Sequence, residues 1–405
     1  MTTLLGRLSA FILVVALAGC APISSGTEPP TSAEPSAAPV APIEPTATPV
    51  ASASLSEHDE AFPTEAFAQI SEGPVSAAVA AEFQALLTDM AGGGGMAATV
   101  MTADGTWSGA AGKADGVRNV RVDDQFAIAS ITKSVIAAQV MRMVEAGELA
   151  LNDTAVDYLP PDLEFDTNGA TIRHLLNMQS GIPDVYDAMG YEAEFRAHPR
   201  RIWTTAEMLE LIPDRRGPTG VFAYSNTGTL LLEPVIEHVS GRRVVDVMRD
   251  GGVLDVEGTD RLIYQPDERP TEPMALPDSG SIAEHRKNGG YLPSTAVVTA
   301  GPTTGSQATD APSFARWWRA FCAGEIVSQA SLNEMAIFDD GYGLGLYSPY
   351  GGVVGHAGGS GPYTAWAGCL PDDGTVIVVL SNFEVDDMGA MAGPLVSAVI
   401  SAGSD

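Results

Sequence analysis

Ser130-Ile131-Thr132-Lys133 places a hydroxyl three residues ahead of an amine, a spacing that could generate a nucleophile. On a helix, residues three apart share a face, so the two side chains can meet. A serine hydroxyl attacks only when a neighbour removes its proton. A lysine can remove it once burial pulls its pKa below the free value of about 10.4. A serine at a helix entrance also sits where the helix field favours negative charge developing beside it. Taken alone, the same four residues read equally as a serine cap on a core helix with a lysine reaching outward.

Two further clusters bear on the same chemistry. In Tyr224-Ser225-Asn226 a buried phenol could accept and return a proton, and the Asn226 amide could hold both a lysine and a substrate amide. In His356-Ala357-Gly358-Gly359 the glycines mark a strand approached closely by a ligand or by another backbone. The backbone N–H groups of Gly359 and Ser130 could form an oxyanion hole, and His356 could donate to a substrate or to Tyr224. Each cluster alone has an ordinary reading, as a turn with an aromatic or as a structural histidine beside glycines.

The surrounding elements must bring these clusters together. Residues 130–146 carry a helical pattern, apolar at Ile131, Val135, Ile136, Val140, Met141 and Val144, with Gly147 at the end. Residues 75–90 predict an earlier helix stopped by the glycines at 92–95. No Gly-Lys-Ser/Thr follows that run, so it reads as a terminator rather than a phosphate loop. Strands are expected over 96–102 and 106–111, turned at Asp104-Gly105. The stretch 150–335 reads as helix and loop. Strands return over 342–347, 352–356, 363–369 and 375–381, with a last helix over 387–401. The pattern predicts an α+β fold, one antiparallel sheet drawn from both ends of the chain, flanked by helices and split by an all-helical insertion.

The order Ser-x-x-Lys, Tyr-x-Asn, His-x-Gly resembles the serine β-lactamase and penicillin-binding superfamily, in its branch of class C β-lactamases, D-alanyl-D-alanine carboxypeptidases and esterases. The resemblance spans about residues 70–402. It extends to Phe126-Ala-Ile-Ala-Ser130, Gly147-Glu-Leu-Ala-Leu-Asn-Asp153, Ile172-Arg-His-Leu-Leu-Asn-Met-Gln-Ser-Gly181 and Phe222-Ala-Tyr-Ser-Asn226. It implies Ser130 as nucleophile, Lys133 and Tyr224 as the acid–base pair, and Asn226 as positioner. It also implies an oxyanion hole from the Ser130 and Gly359 amides, with His356 and Gly358 lining the substrate site and no cofactor. Ser331-Leu-Asn333 mimics a Ser-x-Asn element of other branches but lies in an amphipathic helical stretch. The third motif departs from the branches that act on β-lactams, which often carry Lys-Thr-Gly there. A neutral imidazole holds a carboxylate less well than an ammonium, and each lost bond to a charged group costs about 1.5–3 kcal/mol. The resemblance therefore implies a peptidase for small D-amino-acid peptides, such as a cell-wall stem peptide, or a carboxylic-ester hydrolase, rather than an efficient β-lactamase. An idle relative that binds penicillin or peptidoglycan is the alternative.

Composition bounds the setting. The chain has 405 residues with 51 acidic against 21 basic side chains, a net charge of −30, so it offers no basic footprint for a nucleic acid. Residues 1–20 read as a lipoprotein signal peptide, with Arg7 ahead of an apolar run over 11–18 and Leu17-Ala18-Gly19-Cys20 similar to a lipobox. Cys20 would carry the lipid and hold the protein on the outer face of the cell membrane; an ordinary signal peptide is the other reading. Residues 21–62, rich in Pro, Ala, Ser and Thr, predict an extended tether, and 63–405 the hydrolase domain. Within it an α/β part covers about 63–127 and 336–405, and a helical part 128–335. Cys322 and Cys369 remain as a disulfide or as two separate buried thiols. The six histidines lie scattered, so no metal site is expected. The domain is expected to be monomeric.

Overall fold

Strands β1 (Met96–Thr102) and β2 (Gly105–Ala111) form the hairpin expected at Asp104-Gly105, with Val100 opposite Trp107. The computed structural model describes residues 62–71, 73–187, 191–277, 282–349 and 352–402. Signal peptide and tether fall outside these residues, except Phe62, which is 7% exposed and donates its backbone N–H to Asn333 Oδ1 at 2.7 Å. Two short strands, β3 (Phe126–Ala127) and β4 (Ala308–Thr309), pair with each other. The C-terminal strands are β5 (Val354–Ser360), β6 (Tyr363–Leu370) and β7 (Thr375–Ser381).

The main sheet is antiparallel in the order β2-β1-β7-β6-β5, so the last strand of the chain lies beside one of the first. Period two divides β7 between two cores. Val376, Val378 and Leu380 face one, and Ile377 and Val379 face the other. Both faces are covered, which is why β7 is apolar from Val376 to Leu380 rather than alternating. The helix Ala77–Ala91, begun by a Ser76 cap on Val79 N–H, joins the helix Gly393–Ala402 on one face. On the other lies Ala311–Cys322, whose Trp317, Trp318 and Phe321 stack among themselves. The predicted α+β architecture is the observed one.

The structure departs from the sequence reading at residues 342–347. They form a loop, not a strand, touching its neighbours through isolated pairings of Tyr342 with Tyr347 and of Tyr347 with Gly355. Gly345 explains it. Its φ is +66°, and a Cβ there would lie 2.5 Å from the Ala137 Cβ and 2.9 Å from Lys133 O. The backbone turns in against the helix Thr132–Glu145 instead of running extended. The insertion is also not wholly helical, since β4 lies within it.

Candidate active site

Ser130 is held by the turn Ala129–Ile131, which leads directly into the helix Thr132–Glu145, buried from Thr132 to Met141. The predicted helix thus begins two residues late, and the serine stands at its entrance. Strand β3 feeds this turn. Ile128 N–H donates to Gln307 O at 3.0 Å, and Thr132 Oγ1 accepts from Gln307 N–H at 3.1 Å, so the turn is clamped on both sides by the strand β4 approach. Ala129 has φ of +48°, a left-handed conformation that costs an L-residue about 1–2 kcal/mol. Strain of this kind gathers where the surrounding structure fixes a functional side chain.

One turn into the helix, Lys133 is 0% exposed. Its Nζ lies 3.0 Å from Ser130 Oγ, 2.8 Å from Asn226 Oδ1 and 2.8 Å from Thr304 O. Among the described residues no carboxylate touches it. Burial pushes its pKa down to about 7, and the negative charge of Asp184 opposes the shift. Near neutral pH the amine is therefore half deprotonated, the condition a general base needs.

Tyr224 precedes the helix Asn226–Ser240, and Ser130 acts on its hydroxyl in the sense that lowers the phenol pKa, against the larger effect of burial. The residue is 41% exposed overall, and desolvation raises the phenol pKa above its usual value. Lysine and phenol are pushed in opposite directions, one toward giving up its proton and one toward keeping it. Such divergence distinguishes a base from an acid. The Lys133 amine also stands 5.3 Å from the centre of the Tyr224 ring.

Asn226 is engaged at both ends of its amide. Oδ1 accepts from Lys133, and Nδ2 donates to Asp184 Oδ2 at 2.7 Å. Strand β5 supplies the third cluster. A Cβ on Gly358 would lie 2.2 Å from Ile128 O and 3.0 Å from Ser130 N, so the glycine lets β5 press against the serine turn. Gly355 exchanges both backbone hydrogen bonds with Tyr347, on the side of β5 away from β6. Amides two and four residues on face the same way, which directs the Gly359 N–H to the edge of β5 that β6 leaves free.

His356 is placed differently from the sequence reading. It is 4% exposed, its Nδ1 lies 2.5 Å from Ala357 O, and its Nε2 meets the Tyr342 hydroxyl at 2.9 Å. Burial, reinforced by the nearby Lys133, drives its pKa down to about 3. The imidazole is neutral, and its partner is Tyr342 rather than Tyr224 or an open cleft. Tyr342 in turn packs edge-on against the Tyr224 ring, with centroids 6.1 Å apart.

Sequence reasoning missed Asp184, Thr304 and Tyr342. Pro183-Asp184 lies one residue beyond the recognised segment ending at Gly181, but one acid among 51 carries no flag. Thr304 acts through its carbonyl, which side-chain patterns never report. Tyr342 was hidden in the expected strand. The Ser331-Leu-Asn333 decoy is structural, with Asn333 capping Phe62 N–H. Cys322 and Cys369 are buried thiols with their sulfurs 2.7 Å apart.

Residues 83–399 match the Beta-lactamase family model, more than three quarters of the chain. The chain belongs to the beta-lactamase family. Penicillin-binding protein 4* of Bacillus subtilis (strain 168) is 27% identical over 302 residues, 66% of this chain and 63% of that one. Esterase EstB of Burkholderia gladioli is 28% identical over 183 residues, 40% of this chain and 46% of that one. The chain therefore spans less than two thirds of either relative. Among solved structures, D-amino acid amidase from Ochrobactrum anthropi SV3 superposes with a TM-score of 0.68 at 22% identity, over 81% of this chain and 100% of that one. The last likeness is one of fold. The curated relatives are thus named as a penicillin-binding protein and an esterase.

Proposed function

We propose that this protein is a serine hydrolase that forms a covalent acyl-enzyme on Ser130. The observation that carries the reading is the buried Lys133 amine, 3.0 Å from Ser130 Oγ and held near neutrality. Lys133 takes the hydroxyl proton as Ser130 Oγ attacks the substrate carbonyl. The oxyanion that forms is met by the N–H groups of Ser130 and Gly359. Tyr224, which keeps its proton at neutral pH, passes it to the departing oxygen or nitrogen, and water then releases the acyl group with the same groups in reverse roles.

The substrate we favour is a small ester or amide with no free carboxylate next to the scissile bond. In the third cluster the one cationisable side chain is His356, and it is neutral and tied to Tyr342. Ala357 and Gly359 add no hydroxyl to hold a carboxylate. The names of the esterase and amidase relatives agree with this choice. We place the protein, as a monomer, on the outer face of the cell membrane through a lipid on Cys20. Incorporation of a labelled fatty acid, lost in Cys20→Ser, tests that placement.

Hydrolysis of p-nitrophenyl acetate, nitrocefin and a D-Ala-D-Ala peptide by wild type and Ser130→Ala tests the chemistry. The expected result is turnover of the ester above the other two, abolished in the variant, and a phosphonate adduct on Ser130 by mass spectrometry. Equal turnover by the variant on every substrate the wild type cleaves would overturn the mechanism. A preference for the peptide would overturn the substrate choice alone.

A further inference from the structure

We propose that Asp184 is a positioning residue that dictates which end of the Asn226 amide faces Lys133, and through it where the lysine lone pair points. The inference rests on the reading of Ser130 and Lys133 as nucleophile and base.

A neutral lysine amine has two hydrogens and one lone pair. Lys133 Nζ has three neighbours within hydrogen-bonding reach, and two of them, Asn226 Oδ1 and Thr304 O, can only accept. These two take both hydrogens. The lone pair is then left facing the third neighbour, Ser130 Oγ, whose proton it must remove. The arrangement works only while the oxygen of Asn226 is turned to the lysine. With the amide reversed, Nδ2–H would point at Nζ, occupy the lone pair and leave Ser130 without a base.

Asp184 prevents that reversal. A carboxylate only accepts, and its Oδ2 takes hydrogen bonds from Asn226 Nδ2 at 2.7 Å and from Asn226 N–H at 3.2 Å. A reversed amide would set Oδ1 against that carboxylate, lone pair against lone pair. The carboxylate is itself held, since its Oδ1 accepts from Tyr186 N–H at 2.9 Å. The loop that carries it is stitched to the same helix entrance. Val185 N–H donates to Thr227 Oγ1 at 2.9 Å, and Thr227 Oγ1 donates to Pro183 O at 2.7 Å. Tyr186 also reaches Thr304 Oγ1 at 3.1 Å, so the same loop contacts the residue whose carbonyl is the lysine's second acceptor.

Asp184→Asn tests the idea, because an amide there can face Asn226 in either orientation. The groups facing Lys133 are Asp184 from this loop, Tyr224 ahead of the Asn226 helix and His356 on β5, and the substitution removes one negative charge from that set. The acid limb of the kcat/KM profile for p-nitrophenyl acetate should move to lower pH, while the plateau kcat falls roughly ten- to a hundredfold with KM little changed. In an Asn226→Leu background, Asp184→Asn should have no further effect on kcat, since the amide it orients is gone. An unshifted limb, or equal effects of Asp184→Asn with and without Asn226, overturns the proposal. If the amide variant fails to fold, Asp184→Ser, which also leaves the amide free to turn, is read by the same profile. Phosphonate labelling at Ser130 in every variant separates this outcome from failure of the serine mechanism, which would abolish the label in wild type as well.

Discussion

Lys133 and Asp124 are both fully shielded from water, yet their surroundings differ in kind. Asp124 has a complete counter-set. Arg118 grips it with two nitrogens, at 3.0 and 2.8 Å, and Arg121 N–H adds a third bond at 2.8 Å. Lys133 has three oxygens around it but, among the described residues, no carboxylate in contact. Burial of a charge costs several kcal/mol unless a close opposite charge offsets it. At Asp124 that offset is present, and the ion pair fastens the segment 118–124 ahead of β3. At Lys133 it is withheld, and the group responds by shedding its proton near neutrality. The contrast separates a structural charge from one kept ready to move a proton.

Exchanging the two designs gives the largest expected effect. Lys133→Met should lower ester turnover at least about a thousandfold, as Ser130→Ala does, and shift the melting temperature little. Arg118→Ala should do the reverse. It leaves Asp124 buried and unpaired, so stability drops by about 2–3 kcal/mol, below the range for a fully enclosed pair because Arg118 is 38% exposed. Turnover per folded molecule should be retained. Steady-state kinetics and thermal melts on both variants decide it, and a Lys133→Met enzyme with a tenth of normal turnover would break the comparison.

Gly358→Ala should rank next. The new Cβ would meet the Ile128 carbonyl at 2.2 Å, so β5 must retreat from the serine turn. We expect about 1–3 kcal/mol of lost stability and a larger loss in kcat than in substrate binding, because the Gly359 amide moves with the strand.

The pH response sharpens the contrast further. With Lys133 at about 7 in the folded protein and near 10.4 unfolded, kcat/KM should rise as pH climbs through about 7. Between those values the unfolded chain binds more protons, so this residue's contribution to stability increases with pH across the same window. His356, depressed to about 3, acts in the same sense lower down. Its contribution holds above about 6.5 and is lost as pH falls toward 3. Tyr342→Phe should give the smallest change. Freed of its hydroxyl partner, His356 protonates at higher pH, which NMR titration of the imidazole would detect, and turnover falls only a few-fold. An unaltered titration would remove Tyr342 from the account.

Much of this was readable in the sequence, for reasons that differ by element. The β1–β2 hairpin followed from Asp104-Gly105, and the helix after Ser130 from its apolar spacing, because both signals are local. Residues 342–347 carried a strand-like pattern, but their conformation is decided by Gly345 meeting a helix two hundred residues earlier in the chain. Ser130, Lys133, Tyr224 and Asn226 do converge, as their motifs implied. His356 was legible as a residue and misjudged as a contact, since Tyr342 reaches it through a tertiary turn. Asp184 and the Thr304 carbonyl lay beyond pattern reading, one for want of contrast among so many acids, the other because main-chain oxygens have no letter of their own.

The enclosure of Lys133 also governs chemoselectivity. Of the three lysines, Lys113 and Lys287 are exposed, whereas Lys133, whose pKa burial pulls down to about 7, is sealed off. An amine-directed acylating reagent at neutral pH meets the two exposed side chains first, although burial favours the neutral form of Lys133. Its modification must wait for a local opening of the helix pair around it. The rate at which that one amine is tagged therefore serves as a built-in clock for breathing at the centre of the domain.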